Sequence, residues 1–168
     1  MSIQVLSLNV GRPAALLYQN KEVSSGITKR PATGPVYLSS VNLEGDEQAD
    51  LKHHGGPDKA VCAYPSEHYP LLEQLLGKPA APGAFGENVT LRGLLETEAC
   101  IGDTFQWGEA VVQISQPRQP CFKLAAKHGL AELPRHIEES GRTGFYFRVL
   151  QEGRVSAQDE FVPLERHP

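Results

Sequence analysis

The segment Gln116-Pro117-Arg118-Gln119-Pro120-Cys121-Phe122-Lys123 brings a thiol and two cations together in one short stretch. It follows the apolar run Ala110-Val111-Val112-Gln113-Ile114, which reads as a strand. It precedes a short helical pattern from Phe122 to His128 that Gly129 closes. A proline such as Pro120 suits the first turn of a helix, so Cys121 is expected at or beside a helix N-terminus. Unpaired N–H groups, the positive end of the helix dipole and the flanking Arg118 and Lys123 all favour a thiolate there. The same features favour a bound anion such as a phosphate. A thiolate in that setting can act as nucleophile, redox centre or soft-metal ligand. The competing reading is a small buried hydrophobe, which is what most free cysteines are. Cys62, in the apolar run Ala60 to Tyr64 with no cation directly beside it, and Cys100, which follows Glu98 and Ala99, are both read as structural.

Three further stretches carry groups that could meet a ligand. In His53-His54-Gly55-Gly56-Pro57-Asp58-Lys59 the glycines and proline make a tight loop that lets backbone approach a bound molecule closely. Two histidines without a C-x-x-C pair make only a weak zinc signal, and a polar turn between strands explains the same residues. In Lys29-Arg30-Pro31 the proline biases Arg30 toward an extended conformation. Two cations there could reach an anion or simply be solvated. In Gly86-Glu87-Asn88 the polar side chains could hydrogen-bond a ligand or cap the turn.

The elements that must position these residues are short. The chain has 168 residues, 40% hydrophobic and 21% charged, enough for one domain with a real core. Its 16 glycines and 13 prolines break it often, which favours a strand-rich barrel or sandwich with a few helices. Strands are expected over Ile3 to Val10, at Leu16 to Tyr18, Val36 to Leu38, Val41 to Glu44 and Lys59 to Tyr64, after Glu87, before Gly108, and over Arg142 to Leu150. Ile3 to Val10 carries apolar residues on both faces and reads as well buried. Glu152-Gly153 reads as a hairpin turn, with Val155 and Phe161 to Leu164 supplying the last strands. The clearest helix has Ser66 as N-cap, the stripe Tyr69, Leu72, Leu75, Leu76, and Gly77 as its end. Another is expected from Pro134 to Ser140.

The formal net charge of −4 argues against binding nucleic acid by phosphate neutralisation. Three cysteines without regular spacing do not suggest a disulfide framework. No apolar run approaches the roughly 20 residues of a membrane helix, and no signal peptide is evident, so a cytoplasmic protein is expected.

Taken together, His53 to Val61, Gly86-Glu87-Asn88, Ile101-Gly102-Asp103 and Gln116 to Cys121 resemble the MOSC family, the domain first noted at the C-terminus of molybdenum-cofactor sulfurases. Gly141-Arg142-Thr143-Gly144-Phe145-Tyr146 fits its stand-alone bacterial, YiiM-like branch. The match runs from about Ile3 to Leu164, and residues 1–168 are expected to form a single MOSC domain. The resemblance implies an α+β, mainly β fold, β-barrel-like with a few short helices, that holds the molybdenum cofactor. Cys121 would ligate molybdenum beside the dithiolene sulfurs of the pterin. His53 would donate a hydrogen bond at the pterin or the metal. Lys29, Arg30, His54, Gly55, Gly56, Lys59, Asn88, Arg118, Lys123 and Arg142 are the candidates for holding the cofactor and its phosphate. The implied activity is reduction of N-hydroxylated compounds such as 6-hydroxylaminopurine, a detoxification of base analogues. The chain has no flavin, NAD or iron–sulfur motif, and pyridoxal phosphate binding is not expected, so electrons would come from a separate reductase. A homodimer is one option for assembly. Two alternatives compete: a cofactor or sulfur carrier without catalysis of its own, and a metal-free cysteine enzyme pairing Cys121 with His53 or His128.

Overall fold

The computed structural model describes residues 2–47 and 55–165; His53 and His54 lie outside them. The strands are β1 (Gln4–Val10), β2 (Ala14–Tyr18), β3 (Lys21–Ser25), β4 (Arg30–Pro31), β5 (Val36–Leu38), β6 (Val61–Pro65), β7 (Val89–Arg92), β8 (Thr104–Trp107), β9 (Ala110–Pro117), β10 (Phe145–Gln151), β11 (Gly153–Val155) and β12 (Phe161–Glu165). The helices are α1 (Tyr69–Leu76), α2 (Phe122–His128) and α3 (Leu133–Ser140). Among the described residues no helix is long and apolar enough to cross a membrane.

Eight strands form one sheet in the order β12-β8-β9-β10-β6-β7-β1-β4. Its pairings are antiparallel except β6 with β7. The sheet curls until its ends nearly meet: Ile3 bridges Phe161, and the Phe161 N–H donates to the Ile3 carbonyl. This is the barrel-like α+β fold expected from the sequence. Inside the curl lie Leu8, Val61, Ala63, Phe105, Trp107, Val112, Phe145, Phe147 and Phe161. Against the outer face a second cluster, with Tyr64, Phe85, Leu124, Leu133 and Ile137, seats the helices.

Several local expectations are corrected. In β1 the pairing shifts between Val5 and Ser7, so Val5 and Leu8 both reach the inner core while Leu6 is exposed. A bulge adds one residue to a strand and reverses which face the following side chains take; simple alternation missed it. Val41 to Glu44 is no strand, since only Leu43 bridges Leu38. Lys59 closes a 3-10 turn, Pro57–Lys59, rather than opening β6. Ser66 starts a second such turn, and the N-cap of α1 is His68, without a side-chain capping bond. Glu152-Gly153 makes no hairpin, because β11 leaves β10 to pair with β5.

Candidate functional site

Pairing across the sheet lines up residues far apart in sequence. Tyr146 on β10 sits opposite Gln116 on β9 and opposite Cys62 on β6. The row continues to Asn88, whose side-chain oxygen accepts the Cys62 N–H at 2.9 Å, and then to Asn9, whose N–H donates to the Asn88 carbonyl. Directly opposed residues share a face of the sheet. Val61, Ala63, Phe145 and Phe147 point into the curl, so Cys62 and Tyr146 face outward, toward the helices. The polar row therefore runs beneath the layer that carries Cys121.

Cys121 is the N-cap of α2, which runs from Phe122 to His128 and ends at Gly129 as the sequence predicted. Pro120 lies just outside the helix rather than in its first turn. The Cys121 side chain makes no capping hydrogen bond and is half-buried, so its sulfur stays available. Arg118 and Lys123 on either side are each only 8% exposed. Neither side chain hydrogen-bonds a described residue. A buried cation left without hydrogen bonds is costly, so each of these two could answer an anion.

The Arg118 guanidinium is the electrostatic centre of this layer. Burial works against its charge, yet its neighbours Cys62, Tyr146, Glu87 and Tyr64 hold its pKa above the ordinary value. Burial pushes the Cys62 thiol and the Tyr64 and Tyr146 phenols up, so these stay protonated near neutrality and the Glu87 carboxyl is left to face Arg118. Glu87 is fully buried and accepts from the Phe85 N–H at 3.0 Å, the Tyr69 hydroxyl at 2.5 Å and the Thr90 hydroxyl at 3.1 Å. Besides burial, Cys62 and Cys121 push the Tyr146 phenol up and Arg118 pulls it down, so both cysteines lie within electrostatic reach of that ring. The guanidinium has room because residue 86 is glycine. A Cβ there would come within 2.6 Å of Ile27 Cγ1 and 3.2 Å of Arg118 Nη2, at a backbone φ of +80°.

The remaining candidates divide. The Lys29 ammonium pairs with Asp46 at 2.6 Å, both side chains being buried; the other oxygen of Asp46, Oδ2, finds no partner among the described residues. Gly55 and Gly56 are half-buried, and Gly56 leads into the turn that sets the Lys59 ammonium 5.7 Å from the centre of the Tyr146 ring. The Ser115 hydroxyl fastens that turn by donating to the Asp58 carbonyl. Asn88 is committed to the backbone of Cys62 and Asn9. The half-buried Arg142 offers its carbonyl to the Tyr64 hydroxyl at 2.7 Å. Arg30 is exposed on β4, outside the buried cluster. His128 Nε2 lies 2.6 Å from the Ala84 carbonyl, and no described residue orients it toward Cys121 as a base. Cys62, Tyr146 and Asp46 were missed by sequence reasoning, and Cys62 does have a cation beside it, Arg118, brought by the fold.

Among the described residues no group of three or more His, Cys, Asp or Glu is arranged to hold a metal ion. A metal at Cys121 would thus need at least some of its ligands from outside the described side chains. Residues 50–162 match the MOSC domain. The chain belongs to the MOSC domain family. It is 59% identical to the uncharacterized protein YflK of Bacillus subtilis, over 96% of this chain and 73% of that one. The crystal structure of YiiM from Geobacillus stearothermophilus superposes with a TM-score of 0.79 at 45% identity, covering 98% of this chain and 76% of that one. A protein of Gibberella moniliformis named a reductase is 35% identical over 86% of this chain, which spans 26% of its length. MOSC domains are associated with the molybdenum cofactor, and these relatives place the chain in the YiiM-like branch.

Proposed function

We propose that this MOSC protein is a molybdenum-cofactor-dependent reductase of N-hydroxylated compounds such as 6-hydroxylaminopurine, with the Cys121 sulfur as a ligand to molybdenum. The observation that carries the proposal is the pair of buried cations, Arg118 and Lys123, without hydrogen-bond partners among the described residues and flanking an uncapped cysteine in the chain. A sulfur-ligated, anionic cofactor suits that set: the thiol is a soft ligand, and the cations answer a phosphate or dithiolene. The Asp46 Oδ2, without a partner among the described residues, could accept from the N–H donors of a pterin. When bound, the cofactor supplies two-electron redox chemistry, and the protein supplies position and electrostatics.

In this proposal Arg118, Lys123, Lys59 and Arg142 hold the negative groups. Lys29, Gly55 and Gly56 shape the wall, and Asn88 braces Cys62 in the floor. His53 and His54 belong to the same set, His53 as a hydrogen-bond donor. Tyr146 has a phenol hydroxyl that bonds no described residue and stays protonated, so it can donate to a ligand. Phe122 is 43% exposed next to Cys121, and its ring lies 4.9 Å from that of Tyr18. That pair offers a flat apolar face to a planar base. In this proposal residues 1–168 form one MOSC domain, acting in the cytoplasm, and electrons come from a separate reductase.

The test is expression in a cofactor-competent host, then molybdenum assay and reduction of 6-hydroxylaminopurine with an electron donor. The wild-type protein is expected to hold molybdenum and reduce the substrate, and Cys121→Ser to lose both while remaining folded. Metal without reduction would identify a carrier; absence of metal from the wild type would sink the proposal.

A further inference from the structure

A second basic recess lies at the far end of α2. A pocket of about 340 Å³ opens between that helix end and the segment that follows α1. Lys29, Lys78, Lys127 and His128 line it together with apolar residues of the segment Pro79 to Ala84, and among the described residues no acidic side chain lines it. Their charges are unevenly answered. Lys29 already has Asp46. Lys78 is exposed at the rim. Lys127 is half-buried, and its ammonium donates to the Gly83 carbonyl at 3.2 Å, with no carboxylate in reach of a salt bridge among the described residues. Burial pushes the Lys127 amine down to about 8; Glu87 opposes this, while Lys29 and Arg118 add to it. An anion entering the recess would relieve that crowding of like charge. His128 is held with its ring against Phe85, 5.3 Å between centres, so one wall is rigid.

From this lining we infer that the pocket is a phosphate-monoester subsite, gripped by Lys127 and Lys78, with His128, whose ring nitrogen is spent on the Ala84 carbonyl, as its wall. Ammonium groups act on phosphate as point charges, and the proline- and alanine-rich wall limits competing water. Position adds a constraint, which rests on the function proposed above. Lys127 lies six residues along α2 from Cys121, about 9 Å at the rise of an α-helix. Six residues also carry the chain to a different side of the helix, so a molecule with its reacting end at Cys121 would have to reach round α2 to place a phosphate in this recess. Two sources share that chemistry: the phosphate of the pterin cofactor, and the 5′-phosphate of an N-hydroxylated nucleotide.

Sulfate is the first probe, because it keeps its double charge across the neutral and alkaline range. Calorimetric titration of the metal-free protein with sodium sulfate, against matched chloride, is expected to show binding. Lys127→Met should weaken it at least tenfold, and Lys78→Glu, a change at an exposed site that leaves folding intact, several-fold. Affinity for sulfate should fall as pH rises through about 8, where Lys127 loses its proton; Lys29, Arg118 and Glu87 act on the same amine. Equal affinity in the wild type and both variants overturns the inference. Two further arms name the source. If molybdenum occupancy falls along with sulfate affinity, the phosphate is the cofactor's. If occupancy holds and KM rises for the hydroxylamino nucleotide but not the free base, it is the substrate's. Sulfate binding in a wild-type protein that never acquires molybdenum would refute the reductase proposal and leave the subsite standing.

Discussion

At the scale of residues, the centre of the molecule is Arg118, a buried cation whose hydrogen bonds are unmade within the described protein. Tyr146 beside it lets binding be separated from stability. Its hydroxyl bonds nothing described, so Tyr146→Phe should shift the thermal midpoint by no more than a degree or two. Reduction of the N-hydroxylated substrate should fall at least tenfold, the effect of a lost donor to a polar ligand group. An unchanged rate would remove Tyr146 from the site. Cys121, Arg118 and Lys123 were legible in the sequence because they are neighbours in it, and a thiol between cations is a local pattern. Cys62, Tyr146 and Asp46 were not, because each enters through strand pairing or loop packing that joins distant segments. Lys29 was legible as a cation but not as one matched by Asp46, since an ion pair across a loop leaves no local trace.

At the scale of elements, two glycine turns hold the site. Gly86→Ala places a methyl group against Ile27 and the Arg118 guanidinium in a left-handed backbone conformation. It should cost more than about 1 kcal/mol in urea denaturation and displace Arg118, weakening anion binding as well. Gly144 is pinned from both sides: its N–H donates to Glu96 at 2.7 Å, and its carbonyl accepts from the Arg118 N–H at 3.1 Å. Glu96 in turn meets His68 at 2.7 Å. Burial raises the Glu96 pKa, but the bonds from His68 and Gly144 outweigh it and leave the pKa below the ordinary 4.5. A carboxyl depressed in the folded state stabilises fully above its unfolded value and loses that contribution as pH falls through the folded one. The urea midpoint should therefore drop on acidification below about pH 4.5, and Glu96→Gln should flatten that part of the profile. Helix ends were easy to read, as at Gly77, Gly129 and Gly141, because a left-handed C-terminal residue favours glycine. The β1 bulge and the partner of β11 were hidden, since both depend on what lies alongside.

At the scale of the whole molecule, the curled sheet makes one continuous wall, polar on a stretch of its outside and aromatic within. Phe161 sits where that wall nearly closes, its ring 4.9 Å from that of Trp107 and 5.3 Å from that of Phe147. Phe161→Ala should cost about 3–5 kcal/mol, read as a fall in the denaturation midpoint together with exposure of Trp107 fluorescence. The fold class was legible because frequent glycine and proline leave only short strands; the strand order was not, because it is a property of pairings. The contact between Ile3 and Phe161 joins opposite ends of the described chain. During synthesis this latch cannot shut until Phe161 has been made, long after Ile3 has left the ribosome. Until then a nascent chain must carry that seam unfastened, with the entropy of the largest loop still to be lost.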